Sequence, residues 1–171
     1  MQTAVLKLDG CDLGVLAFLP HVTDSLRKFG ARVGWLVVHA KPRILIHYSS
    51  EHLGEPIHSV FGITSSRGEQ FIADFTIEQF GYEADCWFSR KSDYLHHCTQ
   101  DGKFRLAADD EVAELEEVTA SNTHMSSVVE TAKTVYEQLN WKTYEDLPLQ
   151  ERKSWVESST RLILQQLYYE N

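Results

Sequence analysis

The spacing of apolar residues changes along the chain from helical to strand-like and back to helical. Between residues 12 and 29 several apolar residues fall at helical intervals, and Pro20 interrupts them. The pattern predicts a kinked helix or two short helices, the second capped by Thr23. Gly30 suits the helix end, because glycine tolerates left-handed geometry there. A buried strand over residues 13–19 is the alternative.

Downstream of Gly30 the apolar pattern becomes that of β-strands. Segments rich in Val, Ile, Phe and Tyr, separated by turn residues, predict strands over residues 32–39, 43–48, 58–64 and 70–75. Lys41-Pro42 and residues 65–68 are typical of hairpin turns, so we expect an antiparallel sheet. Further turns and short strands are predicted over residues 86–106, with a tight turn at Asp101-Gly102.

The last third of the chain has a helical pattern. Residues 109–117 hold six acidic side chains and indicate a solvated linker or helix face. Ser127 and Glu130 have the spacing of a capping box, and Pro148 suits the first turn of a further helix. Each is followed by an apolar stripe: Val128, Ala132, Val135, Tyr136 and Leu139, then Trp155, Val156, Ser159, Leu162, Ile163 and Leu167. We expect two helices packed on the sheet.

Composition and charge narrow the class of protein. The chain has 171 residues, 43% of them hydrophobic, and fits a single α+β domain over residues 1–171. Within it we expect a core over residues 1–108 and a helical C-terminal extension over 109–171. A net charge of -9 argues against a nucleic-acid partner, which needs a basic face. No run approaches the roughly 18 apolar residues that cross a bilayer, and residues 13–19 do not resemble a signal peptide, so we expect no membrane partner.

The cysteines suggest a reducing compartment. Cys11, Cys86 and Cys98 are an odd, scattered set, whereas secreted disulfide scaffolds more often have an even, dense one. We therefore expect a cytoplasmic protein with free thiols. His96-His97 beside Cys98 invites a zinc interpretation, but structural zinc needs four well-spaced ligands, and adjacent histidines on a strand point to opposite faces. We predict neither a metal nor an organic cofactor.

A histidine and an aspartate mark the most informative stretch of the chain. His58 begins one predicted strand and Asp74 lies near the end of its hairpin neighbour, so antiparallel pairing should bring them together. An aspartate beside a histidine fixes the imidazole tautomer and stabilises its cation, and the other ring nitrogen can then act as a base. A thiol would complete such a site as nucleophile. A structural pair without chemistry is the competing interpretation.

These residues resemble the transglutaminase-like branch of the papain-like cysteine enzymes. Residues 30–37 look like that family's passage from the nucleophile helix through a glycine into a strand. His58 and Asp74, sixteen positions apart, look like its histidine and aspartate. Asp-Phe-Thr-Ile-Glu-Gln-Phe, at residues 74–80, is similar to the Asp-x-Thr-x-x-Gln-Phe signature of some branches, including bacterial toxins that deamidate glutamine. The resemblance covers roughly residues 11–80.

The resemblance implies a papain-like or transglutaminase-like core, in which an N-terminal helix packs on an antiparallel sheet. Chain order then makes Cys11 the nucleophile, with His58 as proton carrier and Asp74 as its orienting partner. The implied substrate is a peptide, a protein or a small amide or thioester, attacked at its carbonyl. Gln79 and Trp87 are candidates for supporting the substrate site. An ordinary polar residue and a core tryptophan are the alternatives for these two.

Two other functions fit the same sequence. The first is a catalytically inactive transglutaminase-like binding module, with Cys11 as an inert buried thiol. It is favoured if residues 13–19 form a strand paired with residues 4–8 across Asp9-Gly10, because that would remove Cys11 from His58. The second is a biosynthetic enzyme that uses the same fold for condensation or cyclisation. Hydrolysis and acyl transfer also remain open, since water or an amine can be the second substrate.

Overall fold

The computed structural model describes residues 10–44 and 56–169. Helix α1 covers Cys11–Arg27 and precedes strands β1 (Arg32–His39), β2 (Ile57–Thr64) and β3 (Gln70–Ala73). Two 3₁₀ helices, Ile77–Phe80 and Ala84–Trp87, lead to β4 (Phe88–Arg90), α2 (Lys91–Cys98) and β5 (Arg105–Leu106). The described chain ends with α3 (Asp109–Ser121), α4 (Thr123–Gln138), α5 (Trp141–Asp146) and α6 (Leu149–Tyr169). The fold is therefore α+β.

The described strands form one five-stranded antiparallel sheet in the order β4-β3-β2-β1-β5. The antiparallel sheet and three of the four predicted strands are confirmed, with β3 ending at Ala73 rather than at residue 75. The turn between β2 and β3 is confirmed as well. There the Gly68 amide donates to the Ser65 carbonyl at 2.9 Å, and Gly68 has a φ of 82°.

The two faces of the sheet are covered by different elements, because side chains alternate along each strand. On one face α1 and α3 pack against a buried cluster of Val15, Trp35, Val37, Phe61 and Ala73. On the other face α2 and the first 3₁₀ helix pack against Leu36, Val38, Val60, Ile72, Ile77, Tyr82, Tyr94 and Cys98. Consecutive residues of β1 therefore belong to two separate cores.

Residues 11–27 form one continuous helix that includes Pro20. The two-helix prediction is wrong, and Thr23 lies inside α1 instead of capping a second helix. The strand alternative for residues 13–19 is also wrong, and its proposed partner at residues 4–8 lies outside the described residues. Proline removes one helical hydrogen bond, but Val15 and Ala17 are buried against the sheet and stabilise the uninterrupted helix. Gly30 follows with a φ of 70°.

The predicted hairpin at Lys41-Pro42 is wrong. At its end β1 has β2 on one side, and on the other side Ala40 forms a bridge with Thr99, so the described residues 43 and 44 do not pair with the strand. The amides of Arg43 and Ile44 donate instead to the carbonyl of Phe80, at 2.8 and 3.3 Å. The remainder of the strand predicted over residues 43–48 lies outside the described residues.

The prediction for residues 86–106 is half correct. The short strands β4 and β5 occur, and Gly102 adopts a φ of 68° in the segment predicted as a turn. Between them, however, the chain forms helix α2, because Tyr94 and Cys98 are four residues apart and both are buried against the sheet. His96 and His97 therefore lie on a helix, and the strand argument applied to them is wrong.

The C-terminal extension contains four described helices rather than the two predicted. The acidic residues 109–117 belong to α3, so the helix interpretation is confirmed and the linker is wrong. Ser127 lies within α4, whose start is capped by Asn122, so the predicted capping box is wrong. Leu162 is 61% exposed and lies outside the buried side of its stripe. Residue type alone did not separate the buried and exposed sides of these helices.

The extension packs on α1 as well as on the sheet. In α4, the Tyr136 hydroxyl lies 2.6 Å from the Ser25 hydroxyl, and its ring stacks on His21 with centroids 4.3 Å apart. Glu145 of α5 accepts a hydrogen bond from Lys28 at 3.0 Å. Helix α4 therefore covers the outer side of the N-terminal helix, a contact that the prediction of helices packed on the sheet did not include.

Candidate active site

Cys11 is the first residue of α1. Its side chain is 8% exposed, and its sulfur lies 3.8 Å from Oδ1 of Asp12. The helix begins there because Gly10 supplies the first helical carbonyl, which accepts from the Gly14 amide at 2.9 Å. The unpaired amides at this helix N-terminus present partial positive charge to the residues around them.

His58 and Asp74 meet in the interior. His58 is the second residue of β2, and Asp74 directly follows β3, the neighbouring strand. Nε2 of His58 lies 2.8 Å from Oδ2 of Asp74, and both side chains are fully buried. The antiparallel pairing of the two strands produces the contact that was expected from the sequence, while the catalytic roles of the two residues stay predictions.

Asp74 accepts further hydrogen bonds that the sequence did not reveal. Tyr94 of α2 donates its hydroxyl to Oδ2 at 2.6 Å, and the Thr76 amide donates to Oδ1 at 3.0 Å. The main chain of Asp74 is fixed as well, by a bond from its amide to the Trp87 carbonyl at 2.7 Å. Buried charge is tolerated when it is paired and hydrogen-bonded. These contacts therefore fix the position of the Asp74 side chain beside His58.

Tyr94 remains a hydrogen-bond donor at any moderate pH. Burial, followed by the charge of Asp74, raises the pKa of its phenol well above the ordinary value of 10. The sequence did not indicate Tyr94 as a site residue, because residues 86–106 were predicted to form turns and short strands. The signal that could have found it is the pair Tyr94 and Cys98, four residues apart, which would share the inner face of a helix.

The surroundings of His58 favour its protonated form. Burial acts to lower its pKa, but the charge and hydrogen bond of Asp74, together with interactions of the Cys11 thiol, raise the pKa to about 9. At neutral pH the ring is an imidazolium, and an adjacent positive charge favours thiolate formation in general.

Gln79 reaches the opposite nitrogen of the same imidazole. Its Nε2 lies 3.3 Å from Nδ1 of His58 and donates to the Thr76 hydroxyl at 3.1 Å. The side chain is buried, and it is positioned by the first 3₁₀ helix. Phe80, the next residue, packs edge-on against the His58 ring with centroids 4.8 Å apart. Gln79 and Phe80 therefore hold the imidazole from two sides.

Trp87 approaches the site through its main chain. Its carbonyl accepts the Asp74 amide, whereas its indole is 48% exposed and lies beside Phe75 and Phe88. The indole belongs to a surface row of aromatic rings adjacent to Asp74. A contribution of this side chain to substrate binding stays a prediction.

The other two cysteines lie in environments that favour the neutral thiol. Burial raises the pKa of Cys98 to about 11, with the charges of Cys86 and Asp74 as further causes. Burial and the neighbouring Asp85 carboxylate raise the pKa of Cys86. Since the thiolate is the reactive form of cysteine, neither residue is a good nucleophile at neutral pH.

A cavity of about 140 Å³ is lined by sequence neighbours of Cys11 and His58, but by none of the three candidate residues themselves. Its lining includes Asp12, which follows Cys11, and Ile57 and Ser59, which flank His58. Arg105 and Glu111 line it as well, joined by two hydrogen bonds, of which Nη2 to Oε1 measures 2.7 Å. The cavity could hold a group the size of one amino-acid side chain, because a water molecule occupies about 30 Å³ in the liquid.

Comparisons with known proteins give no information on function, so the geometry of the site is the basis for the functional proposal. No protein-family model, curated protein or solved structure matches the chain. Within residues 10–44 and 56–169, no group of three or more His, Cys, Asp or Glu side chains is arranged to hold a metal ion. No helix in that part of the chain has the length and apolar character needed to span a membrane.

Proposed function

We propose that the chain is a cysteine-dependent hydrolase or acyltransferase of papain-like or transglutaminase-like architecture. The observation that carries the proposal is the environment of His58, which contacts Asp74 through Nε2 at 2.8 Å and whose pKa is raised by Asp74 and, to a lesser extent, by Cys11 at the start of α1. A nucleophile, a base and an orienting acid in this arrangement form the general basis of a catalytic triad. The substrate class is an amide or thioester carbonyl in a peptide, a protein or a small molecule.

The reaction begins from a Cys11 thiolate and a His58 imidazolium. The sulfur attacks the carbonyl carbon, and the oxygen takes up the negative charge beside the helix N-terminus. The tetrahedral intermediate then collapses, His58 gives its proton to the leaving amine or thiolate, and a thioester on Cys11 remains. Neutral His58 next removes a proton from water or an amine, which attacks the thioester. The product is an acid or a new amide, and the thiolate is restored.

Asp74 keeps the His58 proton on Nε2 throughout this cycle. Its carboxylate accepts from Nε2, so the neutral ring leaves Nδ1 free to accept a proton. Gln79 stabilises the same arrangement, because its amide group can donate to Nδ1 of the neutral ring. Rotation of the amide would instead present its oxygen to the Nδ1 proton of the imidazolium.

Iodoacetamide should alkylate Cys11 faster than Cys86 and Cys98 at pH 7. The thiolate is the reacting species, and Cys11 is the one of these three cysteines that contributes to the raised pKa of His58. Cys86 is less buried than Cys11, so exposure alone predicts the opposite order. Peptide mass spectrometry of the three sites over time measures the rates. We expect His58→Gln to slow the labelling of Cys11 by at least about tenfold.

The labelling experiment has an internal control and a clear negative result. His97→Gln, on the exposed side of α2, should leave all three rates unchanged. If Cys11 is labelled no faster than Cys86, or at the same rate in His58→Gln, the nucleophile assignment is wrong. If Cys11 is reactive, ammonia release from glutamine peptides separates the two reactions. Release without an added amine indicates hydrolysis, and release that requires a primary amine indicates acyl transfer.

An inactive binding module is the second candidate function. It is favoured by the 8% exposure of Cys11 and by the Gln79 amide at Nδ1, the nitrogen that must exchange protons with the thiol. In that case the protein would be folded and would contain an unreactive Cys11. A biosynthetic condensing enzyme would instead show reactive Cys11 without hydrolysis of peptides, and a screen of acyl donors would identify it.

Tyr94→Phe should destabilise the fold by about 2 kcal/mol, since a hydrogen bond to a charged group contributes roughly 1.5–3 kcal/mol. It should also raise the pKa of His58, because Asp74 Oδ2 loses a donor and presents more negative charge to the ring. Urea unfolding and an NMR titration of His58 measure the two effects. Tyr82→Phe is the matched control, since that buried hydroxyl donates to the carbonyls of Lys41 and His97. An unchanged His58 titration in Tyr94→Phe would contradict the expectation.

A further inference from the structure

A groove lies on the sheet face opposite α1, away from the candidate triad. We call it the Gly34 groove; its volume is about 340 Å³, and its lining includes Arg32, Gly34, Gly62, Lys91, Phe104 and Leu106. Gly34 and Gly62 are cross-strand partners in β1 and β2. His58 is four residues from Gly62 along β2, roughly 13 Å at 3.3 Å per residue. The groove is therefore separate from the triad.

The glycine at position 34 has no packing explanation. Glycine weakens the interior of a strand, and it often marks a place where another group approaches the backbone closely. Gly62 is required by its neighbour, because a Cβ there would lie 2.6 Å from Cδ1 of Leu36. At Gly34 the closest atom to such a Cβ would be Cδ2 of Leu106, at an ordinary contact distance of 3.6 Å. The fold therefore has room for a side chain that the sequence does not supply.

The charge of the groove is opposite to that of the whole chain. The protein has 25 acidic and 16 basic residues, yet the groove is lined by Arg32 and Lys91 and by no acidic side chain. Lys91 is half-buried, and its Nζ lies 3.3 Å from the centre of the Phe104 ring. No acidic side chain in the described part of the chain forms an ion pair with Lys91. Desolvation by burial lowers its pKa, as expected for a cation without a counter-charge.

The walls of the groove are apolar and open to solvent. Phe104 is 44% exposed and Leu106 is 66% exposed, although both are large apolar residues. The cavity volume lies at the lower end of the range of small-molecule sites, roughly 300–1,000 Å³. An apolar surface with a small number of placed polar groups is typical of such sites.

We propose that the Gly34 groove binds a small organic carboxylate with an apolar body. The body lies over Gly34 against Phe104 and Leu106, where a side chain at position 34 would otherwise stand. The carboxylate pairs with the Lys91 ammonium and the Arg32 guanidinium. This binding does not depend on the chemistry proposed for Cys11.

Octanoate and its uncharged analogue octanamide test the proposal by isothermal titration calorimetry on the full chain. We expect octanoate to bind at one site, more tightly than octanamide. Lys91→Met keeps the length of the side chain and removes its charge, so it should weaken octanoate at least about tenfold and leave octanamide unchanged. Gly34→Val fills the groove and should weaken both ligands by a similar factor. Lys153→Met, at an exposed position on α6, is the charge-matched control and should change neither.

The same titrations can overturn the proposal. Absence of octanoate binding in the millimolar range would do so, as would binding that neither Lys91→Met nor Gly34→Val weakens. Thermal melting checks that each variant is folded. If Gly34→Val is not, Phe104→Ala, which removes one exposed wall, takes its place with the same expectation. Cys11→Ser should bind octanoate like the wild type, so a failure of the proposed enzymatic function would not alter this result.

Discussion

Asp74→Asn should lower the rate of Cys11-dependent acyl transfer by on the order of 10³–10⁴-fold, as loss of the correct imidazole tautomer does in catalytic triads. The backbone amide of Thr76 is a fixed donor to Oδ1 and will hold the single oxygen of an asparagine. The asparagine NH₂ group must then face Tyr94, whose hydroxyl can rotate to accept, and His58. Nε2 of His58 becomes an acceptor, so the ring proton moves to Nδ1. A ring protonated at Nδ1 cannot take the thiol proton there.

Hydrolysis of a p-nitrophenyl ester and the rate of Cys11 alkylation measure this effect without knowledge of the natural substrate. Asp93→Asn is the control, because Asp93 lies on α2 next to Tyr94 but is exposed, and its carboxylate accepts a hydrogen bond from the Ser92 hydroxyl at 3.1 Å. It should retain wild-type rates. If Asp74→Asn reacts as fast as the wild type while remaining folded, Asp74 has no part in the mechanism.

The stability of the protein should fall as the pH rises from about 6.5 to 10. The pKa of His58 is about 9 in the folded protein and 6.5 in its ordinary state. A group whose pKa is raised by folding stabilises the fold fully below its unfolded pKa, and this contribution is lost as the pH passes the folded pKa. At 1.36 kcal/mol per pKa unit, the difference amounts to about 3 kcal/mol.

Urea unfolding of the wild type and of His58→Gln across this pH range isolates the contribution. The ionisation of Cys86 and Cys98 in the unfolded chain also lowers stability at high pH, but it is common to both proteins and cancels in their difference. His97→Gln should keep the wild-type slope, because its side chain is exposed. Equal slopes for the wild type and His58→Gln would show that His58 is not held as a buried cation.

The part of the site that the sequence predicted correctly depends on short-range pattern. Strands β2 and β3 are joined by a tight turn, so the pairing of His58 with Asp74 follows from strand period and turn position alone. The start of α1 at Cys11 was open between helix and strand, because a short apolar run fits either. Burial of Val15 and Ala17 against the sheet decides in favour of the helix.

The part that the sequence did not predict depends on tertiary packing. Tyr94 contacts Asp74 only because residues 91–98 form a helix under the sheet, whereas their composition was compatible with turns and short strands. Asn122, rather than Ser127, begins α4, since its side chain reaches the amides of His124 and Met125. Competing caps a few residues apart cannot be ranked before the neighbouring helices are placed.

The contact between α1 and α4 has a consequence for synthesis of the protein. Ser25 meets Tyr136 across 111 residues of chain, so a ribosome that adds about 5–20 residues per second needs on the order of 10 s to deliver the partner. In proteins most helical stability comes from tertiary packing, and the 17-residue helix α1 lacks its contact with α4 until then. The outer side of α1, which includes His21 and Ser25, therefore stays uncovered on the nascent chain until α4 leaves the exit tunnel.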